Sequence, residues 1–114
     1  MKKKLLDYLN VCIGELQTLG EGFDELATNA LKQCLNTTCL LEQNSEDTLI
    51  QLEDSVYDEY SNYIIDGVLL DEDDKNHVLF TVTDEHDEIQ TVELTDICRA
   101  SILEVIREIA STLK

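Results

Sequence analysis

The second half of the chain alternates between short apolar runs and short acidic runs. Three runs rich in isoleucine, valine, threonine and aromatic residues are separated by two acidic runs, in the order 63–70, 71–74, 77–83, 84–88 and 89–94. In the middle apolar run, Val78, Phe80 and Val82 alternate with more polar neighbours, which is the period of a strand with one buried face. Strands that are joined by such short turns pair in opposite directions. The pattern therefore predicts a three-stranded antiparallel meander.

The first third of the chain predicts a helical hairpin. Apolar residues recur at three- and four-residue steps through two segments: Leu5, Leu9, Cys12, Ile13, Leu16 and Leu19 in the first, and Phe23, Leu26, Ala27, Ala30, Leu31, Cys34 and Leu35 in the second. This is the spacing of an amphipathic helix. Gly20 and Gly22 separate the segments and supply the backbone freedom that a helix terminus needs. We therefore expect two helices, the first over residues 3–19, that pack as a hairpin.

A third helix is predicted over residues 46–60, after a connector over residues 36–44. Ser45 is a suitable N-cap, and acidic residues follow it in the first turn, where the helix dipole favours negative charge. Apolar residues then continue at helical spacing: Leu49, Leu52, Val56 and Tyr60. Residues 49–52 alone would fit a short strand equally well.

The end of the chain predicts a helix that covers the sheet. A wide apolar stripe runs through residues 97–113: Cys98, Ile102, Val105, Ile106, Ile109 and Leu113. Left exposed, such a stripe would favour aggregation, so we expect it to pack against the strands. The predicted class is α+β, with an N-terminal helical hairpin, a third helix, a three-stranded antiparallel meander and a C-terminal helix packed on the sheet. With 114 residues, 43% of them hydrophobic, residues 1–114 are expected to form one domain with a real core.

Neither a secretory signal nor a membrane span is expected. The run of lysines at residues 2–4 precedes two leucines, but Asp7, Asn10 and Glu15 interrupt the apolar segment that a signal would need. No apolar run reaches the length that crosses a membrane. The expected location is the cytoplasm, where the four cysteines, Cys12, Cys34, Cys39 and Cys98, are predicted to remain reduced structural thiols.

Almost all of the acidic excess lies in the middle of the chain. Residues 45–96 hold 17 of the 25 carboxylates and a single cation, Lys75, whereas the flanks together sum to −1. Direct nucleic-acid binding is not expected, since it requires clustered lysine and arginine. The turns before and after strand 77–83 should lie at opposite ends of the sheet, about 23 Å apart. The charge is therefore predicted to form separate patches and not one continuous phosphate-like array.

The sequence predicts neither an enzyme nor a metal or cofactor site. His77 and His86 are the only histidines, no nucleophile stands out as their partner, and the glycines form no phosphate loop. An EF-hand loop that began at Asp71 would need an acidic or amide residue at its fifth position and glycine at its sixth. Those positions are Lys75 and Asn76. Solvated acidic turns are the simpler interpretation.

Tyr57, Tyr60 and Tyr63 are spaced by three residues among carboxylates, so on a helix they would share a face. Tyrosine is common among residues that dominate binding energy, although these tyrosines could instead close the core. The predicted partner-binding residues are Asp54, Tyr57, Asp58, Glu59, Tyr60, Asp71, Glu72, Asp73, Asp74, Asp84, Glu85, Asp87 and Glu88.

The composition is typical of non-enzymatic proteins that neutralise a basic protein partner, such as immunity proteins and anti-defence inhibitors. A nuclease or another nucleic-acid-binding protein would be a suitable partner. One alternative is a homodimeric accessory or chaperone-like protein whose acidity maintains solubility. A second alternative is a protein that binds divalent metal through its acidic turns.

Overall fold

The computed structural model of the chain describes residues 2–36, 49–71, 73–74 and 77–113. Within these ranges it contains three α-helices and four strands, namely α1 (Lys2–Leu16), α2 (Phe23–Leu35), β1 (Leu49–Asp58), β2 (Tyr63–Leu70), β3 (Val78–Thr83), β4 (Ile89–Glu93) and α3 (Arg99–Thr112). A short 3-10 turn, Leu94–Asp96, precedes α3. The predicted α+β class is confirmed. Ser45 and most of the predicted connector lie outside the described residues.

The strands form one antiparallel sheet in the order β1-β2-β3-β4. The predicted meander corresponds to β2, β3 and β4. The sheet has four strands and not the predicted three, because β1 pairs with β2 at the edge of the meander.

The prediction of a third helix over residues 46–60 is wrong, because residues 49–58 form β1. Ile50 and Leu52 are buried while Gln51 and Glu53 are exposed, which is the period of two of a strand. A register irregularity between Gln51 and Val56 then interrupts this alternation. Val56 and Asp58 return to the same face as Ile50 and Leu52, but Asp54 between them is exposed. The apparent helical spacing joins residues of different environments, since Leu49 lies on the opposite face from Leu52 and Tyr60 lies in the turn after the strand.

The helices cover one face of the sheet. Helix α2 contacts β2 and β3, α3 contacts β1, and α1 packs across α2 and α3. Fully buried side chains from both layers, among them Leu9, Leu31, Ile65, Phe80 and Ile106, form one core. The C-terminal helix therefore packs on the sheet as predicted, at its β1 edge.

Contacts from Arg99 fix the start of α3 to the turn between α1 and α2. Its Nη1 donates hydrogen bonds to the carbonyl oxygens of Leu19 (3.4 Å) and Gly20 (3.0 Å). Its guanidinium lies 4.9 Å from the centre of the Phe23 ring, a distance at which a cation is attracted to the ring face. Gly22 has a positive φ of 81°, which explains why glycine suits this turn.

The helical hairpin contains two buried free thiols, Cys12 and Cys34. Burial raises the pKa of Cys34 to about 12, so this thiol is protonated at neutral pH. Cys39 lies outside the described residues. In the part of the chain that the structure describes, no helix has both the length and the apolar composition needed to cross a membrane.

Candidate binding surface

One face of the sheet packs on the helices, and no helix or strand of the described ranges covers the other. Along β3, Val78, Phe80 and Val82 are buried, and the half-buried residues between them belong to the opposite surface, which we call the open face. Strand register places two rows of mainly apolar residues on the open face: Leu49, Leu69 and Leu79 in one row, and Tyr57, Ile64, Thr83 and Ile89 in the other. The side chains of Tyr57 and Ile89 are 56% and 79% exposed.

A shallow cleft of about 340 Å³ lies on the open face. Its lining residues are Leu49, Gln51, Asp66, Gly67, Thr81 and Ile89. Strands β1 and β2 approach so closely here that a Cβ atom on Gly67 would lie 2.7 Å from the carbonyl oxygen of Ile50. A side chain at this position would therefore force the two strands apart. On β2, the register irregularity between Ile65 and Gly67 leaves Asp66 without a pairing partner on β3. The Oδ2 atom of Asp66 accepts a hydrogen bond from Thr83 Oγ1 at 2.8 Å.

The acidic residues of the turns lie at the two ends of the sheet. Because the strands are antiparallel, the β1–β2 and β3–β4 turns share one end and the β2–β3 turn lies at the other. We call the first the Asp84 end (Glu59, Asp84, Glu85, Asp87 and Glu88) and the second the Asp71 end (Asp71, Asp73, Asp74 and Glu93). The six residues of β3 separate them by about 20 Å. Asp54 is exposed on β1, and Glu72 lies outside the described residues.

At the Asp84 end, one carboxylate organises the turn and the others face solvent. Asp84 Oδ1 accepts hydrogen bonds from the backbone N–H groups of His86 (2.8 Å) and Glu88 (3.0 Å). Asp87 has a positive φ of 60°, which aspartate tolerates better than most residues. The carboxylates of Glu85, Asp87 and Glu88 are exposed and available to a partner.

At the Asp71 end, His77 bridges two carboxylates. Its Nδ1 lies 3.2 Å from Asp71 Oδ2 and its Nε2 lies 2.7 Å from Glu93 Oε1. The hydrogen bond that His77 donates to Asp71, assisted by the one to Glu93, raises the pKa of His77. A backbone N–H from Asp73, assisted by His77, lowers the pKa of Asp71. The sequence does not predict this bridge, because it depends on a strand pairing that brings Glu93 beside the turn.

Asp58, which was predicted to face a partner, is instead completely buried. Its carboxylate accepts hydrogen bonds from Ser61 Oγ (2.6 Å), Ser101 Oγ (3.0 Å) and Cys98 Sγ (3.0 Å), and from the backbone N–H groups of Tyr60 (3.3 Å) and Cys98 (3.5 Å). Burial alone would raise the pKa of Asp58, but these hydrogen bonds outweigh it and lower the pKa. The position lies on the helix side of β1, so Asp58 joins the β1–β2 hairpin to the start of α3.

The three tyrosines do not share a helix face, since they lie on β1, in the β1–β2 turn and on β2. The hydroxyl of Tyr57 donates a hydrogen bond to Asn62 Oδ1 at 3.0 Å, and the side chain lies on the open face. Tyr60 is 86% exposed in the turn. Tyr63 is half-buried and packs against the core. Tyr57 and Tyr60 are thus accessible at the Asp84 end, and Tyr63 has the core role that was the alternative for these tyrosines.

In the part of the chain that the structure describes, positive charge is confined to the helices. Among the described residues, every lysine and arginine lies in a helix: Lys2, Lys3, Lys4, Lys32, Arg99 and Arg107. The carboxylates at the two ends of the sheet therefore have no lysine or arginine on the described strands and turns. This separation produces a strongly anionic sheet side and a mixed helix side.

The thiol of Cys98 is not arranged as a nucleophile. It donates to the carboxylate of Asp58, and a carboxylate whose pKa is lowered is a weak base. A catalytic thiol needs a stronger base or a cation beside it. The cluster of Asp58, Cys98 and Ser101 is therefore best explained as a structural junction.

Two further findings concern metals and relatives. Within the described ranges, no group of three or more histidine, cysteine, aspartate or glutamate side chains is placed to hold a metal ion. Comparisons with models of protein families, with characterised proteins and with solved structures find no match for this chain.

Proposed function

We propose that this chain is a non-enzymatic acidic binding protein that binds a basic protein and neutralises it, in the manner of an immunity protein or an anti-defence inhibitor. One observation carries the proposal. The carboxylates of the described strands and turns have no lysine or arginine among them, whereas the described cations all lie on the helices.

Charge separated in this way favours association with a cationic surface. A complementary field speeds diffusional encounter and disfavours wrong partners. A nuclease or another nucleic-acid-binding protein is a suitable partner, because the surface that contacts phosphates is cationic. Covering that surface would block access of the nucleic acid. The two acidic ends, separated by about 20 Å along β3, suit a protein contact with discrete anchor points.

The proposal can be tested by affinity capture followed by charge neutralisation. The full chain is immobilised, cationic proteins that it retains at low salt are identified, and the purified partner is titrated by calorimetry. The test variant is Glu85→Gln, Asp87→Asn and Glu88→Gln at the Asp84 end. The matched control makes the same change of charge on the helix side, where Asp7, Glu15 and Glu21 are exposed.

We expect the test variant to weaken binding about tenfold, since each exposed pair contributes about 0.5 kcal/mol. The control variant should change affinity less than about twofold. Affinity should also fall steeply between about 50 mM and about 300 mM salt. Equal losses in the two variants, or no partner whose binding depends on salt, would contradict the proposal.

A dimeric accessory or chaperone-like function is the second candidate, and the exposed apolar residues of the open face favour it. Tyr57, Ile64 and Ile89 are 56%, 39% and 79% exposed in one row across the sheet, on β1, β2 and β4, with Thr83 of β3 between the two isoleucines. Sedimentation velocity of the purified chain distinguishes the two functions. A stable dimer without a salt-sensitive partner would support this second candidate.

A further inference from the structure

The most exposed apolar row of the open face adjoins the Asp84 end. Tyr57 is the last open-face residue of β1 before the turn, and Ile89 follows the acidic turn directly. Ile64 on β2 and Thr83 on β3 lie between them in the register. A row of exposed, mainly apolar side chains on one face commonly marks a binding surface. Here the row lies at the same end of the sheet as the carboxylates of Glu59, Glu85, Asp87 and Glu88.

The cleft beside Gly67 gives this surface a concave element. It extends from Ile89 to Leu49, the other apolar row. The close approach of β1 and β2 at Gly67 leaves no room for a side chain there. Asp66 is half-buried in the lining, so the cleft has apolar ends and a negative charge beside its centre.

The charge of this surface selects its occupant. A second copy of the chain, at a net charge of −17, would bring like charges together at both ends of the sheet. Nucleic acids and anionic membranes would be repelled for the same reason. A cationic protein segment avoids this repulsion and supplies counterions for the carboxylates around the apolar row.

We propose that the open face docks a cationic protein segment that presents an apolar side chain between lysine or arginine residues. The apolar side chain packs against Ile89 and Ile64 and enters the Gly67 cleft, while the basic side chains pair with the exposed carboxylates of the Asp84 end and with Asp66. This inference rests on the proposed function, and it adds where the basic partner binds and which chemistry it presents.

Two synthetic peptides of equal charge test the proposal. One alternates lysine with leucine, and the other has serine in place of each leucine. Each is titrated into the full ¹⁵N-labelled chain at low salt. We expect the lysine–leucine peptide to shift the amide signals of Ile64, Gly67 and Ile89 and to bind about tenfold more tightly than the lysine–serine peptide, whose effects should be confined to the acidic turns.

Substitution of an exposed isoleucine provides the specific variant. Ile89→Ser should weaken the lysine–leucine peptide about tenfold and leave the lysine–serine peptide unaffected. Val11→Ser is the matched control, because Val11 is 60% exposed on α1, away from the sheet. The control should leave both affinities unchanged. Both substituted side chains are exposed, so the fold is expected to persist.

The outcomes separate this inference from the function on which it rests. If both peptides bind equally, with shifts only in the turns, the docking site is wrong while a basic partner remains supported. If neither peptide binds at low salt, and capture yields no cationic partner, the proposed function is wrong and the docking site fails with it. A homodimer that Ile89→Ser dissociates would show that a second copy occupies the face, and this would overturn the inference.

Discussion

Replacing Asp58 with alanine tests whether one buried carboxylate holds the β1–β2 hairpin to the start of α3. The substitution removes the acceptor of five hydrogen bonds, three from side chains and two from backbone N–H groups. Hydrogen bonds to a charged group contribute about 1.5–3 kcal/mol each, and an unsatisfied buried donor costs about 1–3 kcal/mol. Relief of the cost of burying the charge offsets part of this loss. We expect a net destabilisation of about 3–4 kcal/mol, a large share of the stability of a small domain.

The measurement is urea unfolding followed by far-ultraviolet circular dichroism at neutral pH. Asp54→Ala is the matched control, because Asp54 is an exposed carboxylate on the same strand and its loss should change stability by less than about 0.5 kcal/mol. Asp58→Asn keeps the side-chain volume and one carbonyl oxygen, but its NH₂ group replaces the second oxygen and cannot accept the hydrogen bonds donated to it. It should therefore cost about 2 kcal/mol.

A second test is the pH dependence of the difference in unfolding free energy between the wild type and Asp58→Asn. The pKa of Asp58 is lowered in the folded protein, and an unfolded aspartate titrates near about 3.9. Its stabilising contribution is therefore fully present above that value and is lost as the pH falls through the folded pKa. The gap between the wild type and Asp58→Asn should be constant from neutral pH to about pH 5 and should shrink below about pH 4. The reasoning is refuted if Asp58→Ala costs no more than Asp54→Ala, or if the gap does not narrow in acid.

Three further substitutions address other parts of the fold. The pKa of His77 is raised in the folded protein, so its contribution to the free energy of unfolding is fully present below about pH 6.5 and is lost as the pH rises through the folded pKa. In urea unfolding, the wild type should therefore lose stability relative to His77→Gln between about pH 6 and about pH 8. Equal pH profiles for the two proteins would argue against the bridge. Gly67→Ala should cost about 1–3 kcal/mol by forcing β1 and β2 apart. Gly14→Ala, with no neighbouring atom within 4 Å of the added Cβ, should instead stabilise α1 by about 0.5–1 kcal/mol, and thermal melts of the two variants measure both effects. Arg99→Ala should cost about 1–2 kcal/mol of stability, because two hydrogen bonds and a ring contact are lost. Arg107→Ala is the control: it removes the 2.9 Å ion pair with an exposed glutamate of the same helix and should cost less than about 0.5 kcal/mol. Similar losses in the two variants would contradict the role of Arg99.

Much of the fold was predictable because its periodic signals are local. The helices of the hairpin and the C-terminal helix repeat their apolar residues at three- and four-residue steps, and β3 alternates with a period of two, while acidic runs separate the three apolar runs of the meander. Strand β1 was not, because its alternation ends after Leu52 and its register shifts before Val56. Its inward residues Ile50, Leu52, Val56 and Asp58 keep one phase, but the exposed Asp54 interrupts them and the last is itself an aspartate. Leu49 and Tyr60, which lie off that face, complete a helical spacing with Leu52 and Val56.

The acidic turns were predictable as a charge pattern, but the role of each carboxylate was not. Asp58 is buried by groups about 40 residues away, at Cys98 and Ser101, and no local signal distinguishes it from exposed Glu59. The bridge at His77 likewise depends on Glu93 from another strand. Both assignments require the pairing of elements that are distant in the sequence.

The distribution of these roles limits what charge alone can contribute to binding. Asp58 is committed to the fold, and Asp71 and Asp84 hold their own turns, so pairing them with a partner would leave internal donors unsatisfied. The exposed carboxylates of the Asp84 end, such as Glu85, Asp87 and Glu88, contribute about 0.2–1 kcal/mol each. Three of them supply about 1–3 kcal/mol, whereas a micromolar complex needs about 8 kcal/mol. Each exposed apolar side chain that becomes buried adds about 1.5–3 kcal/mol. A tight complex with a basic partner therefore requires the open face as well as the acidic turns, and loss of Ile89 should weaken it as much as loss of the three carboxylates together.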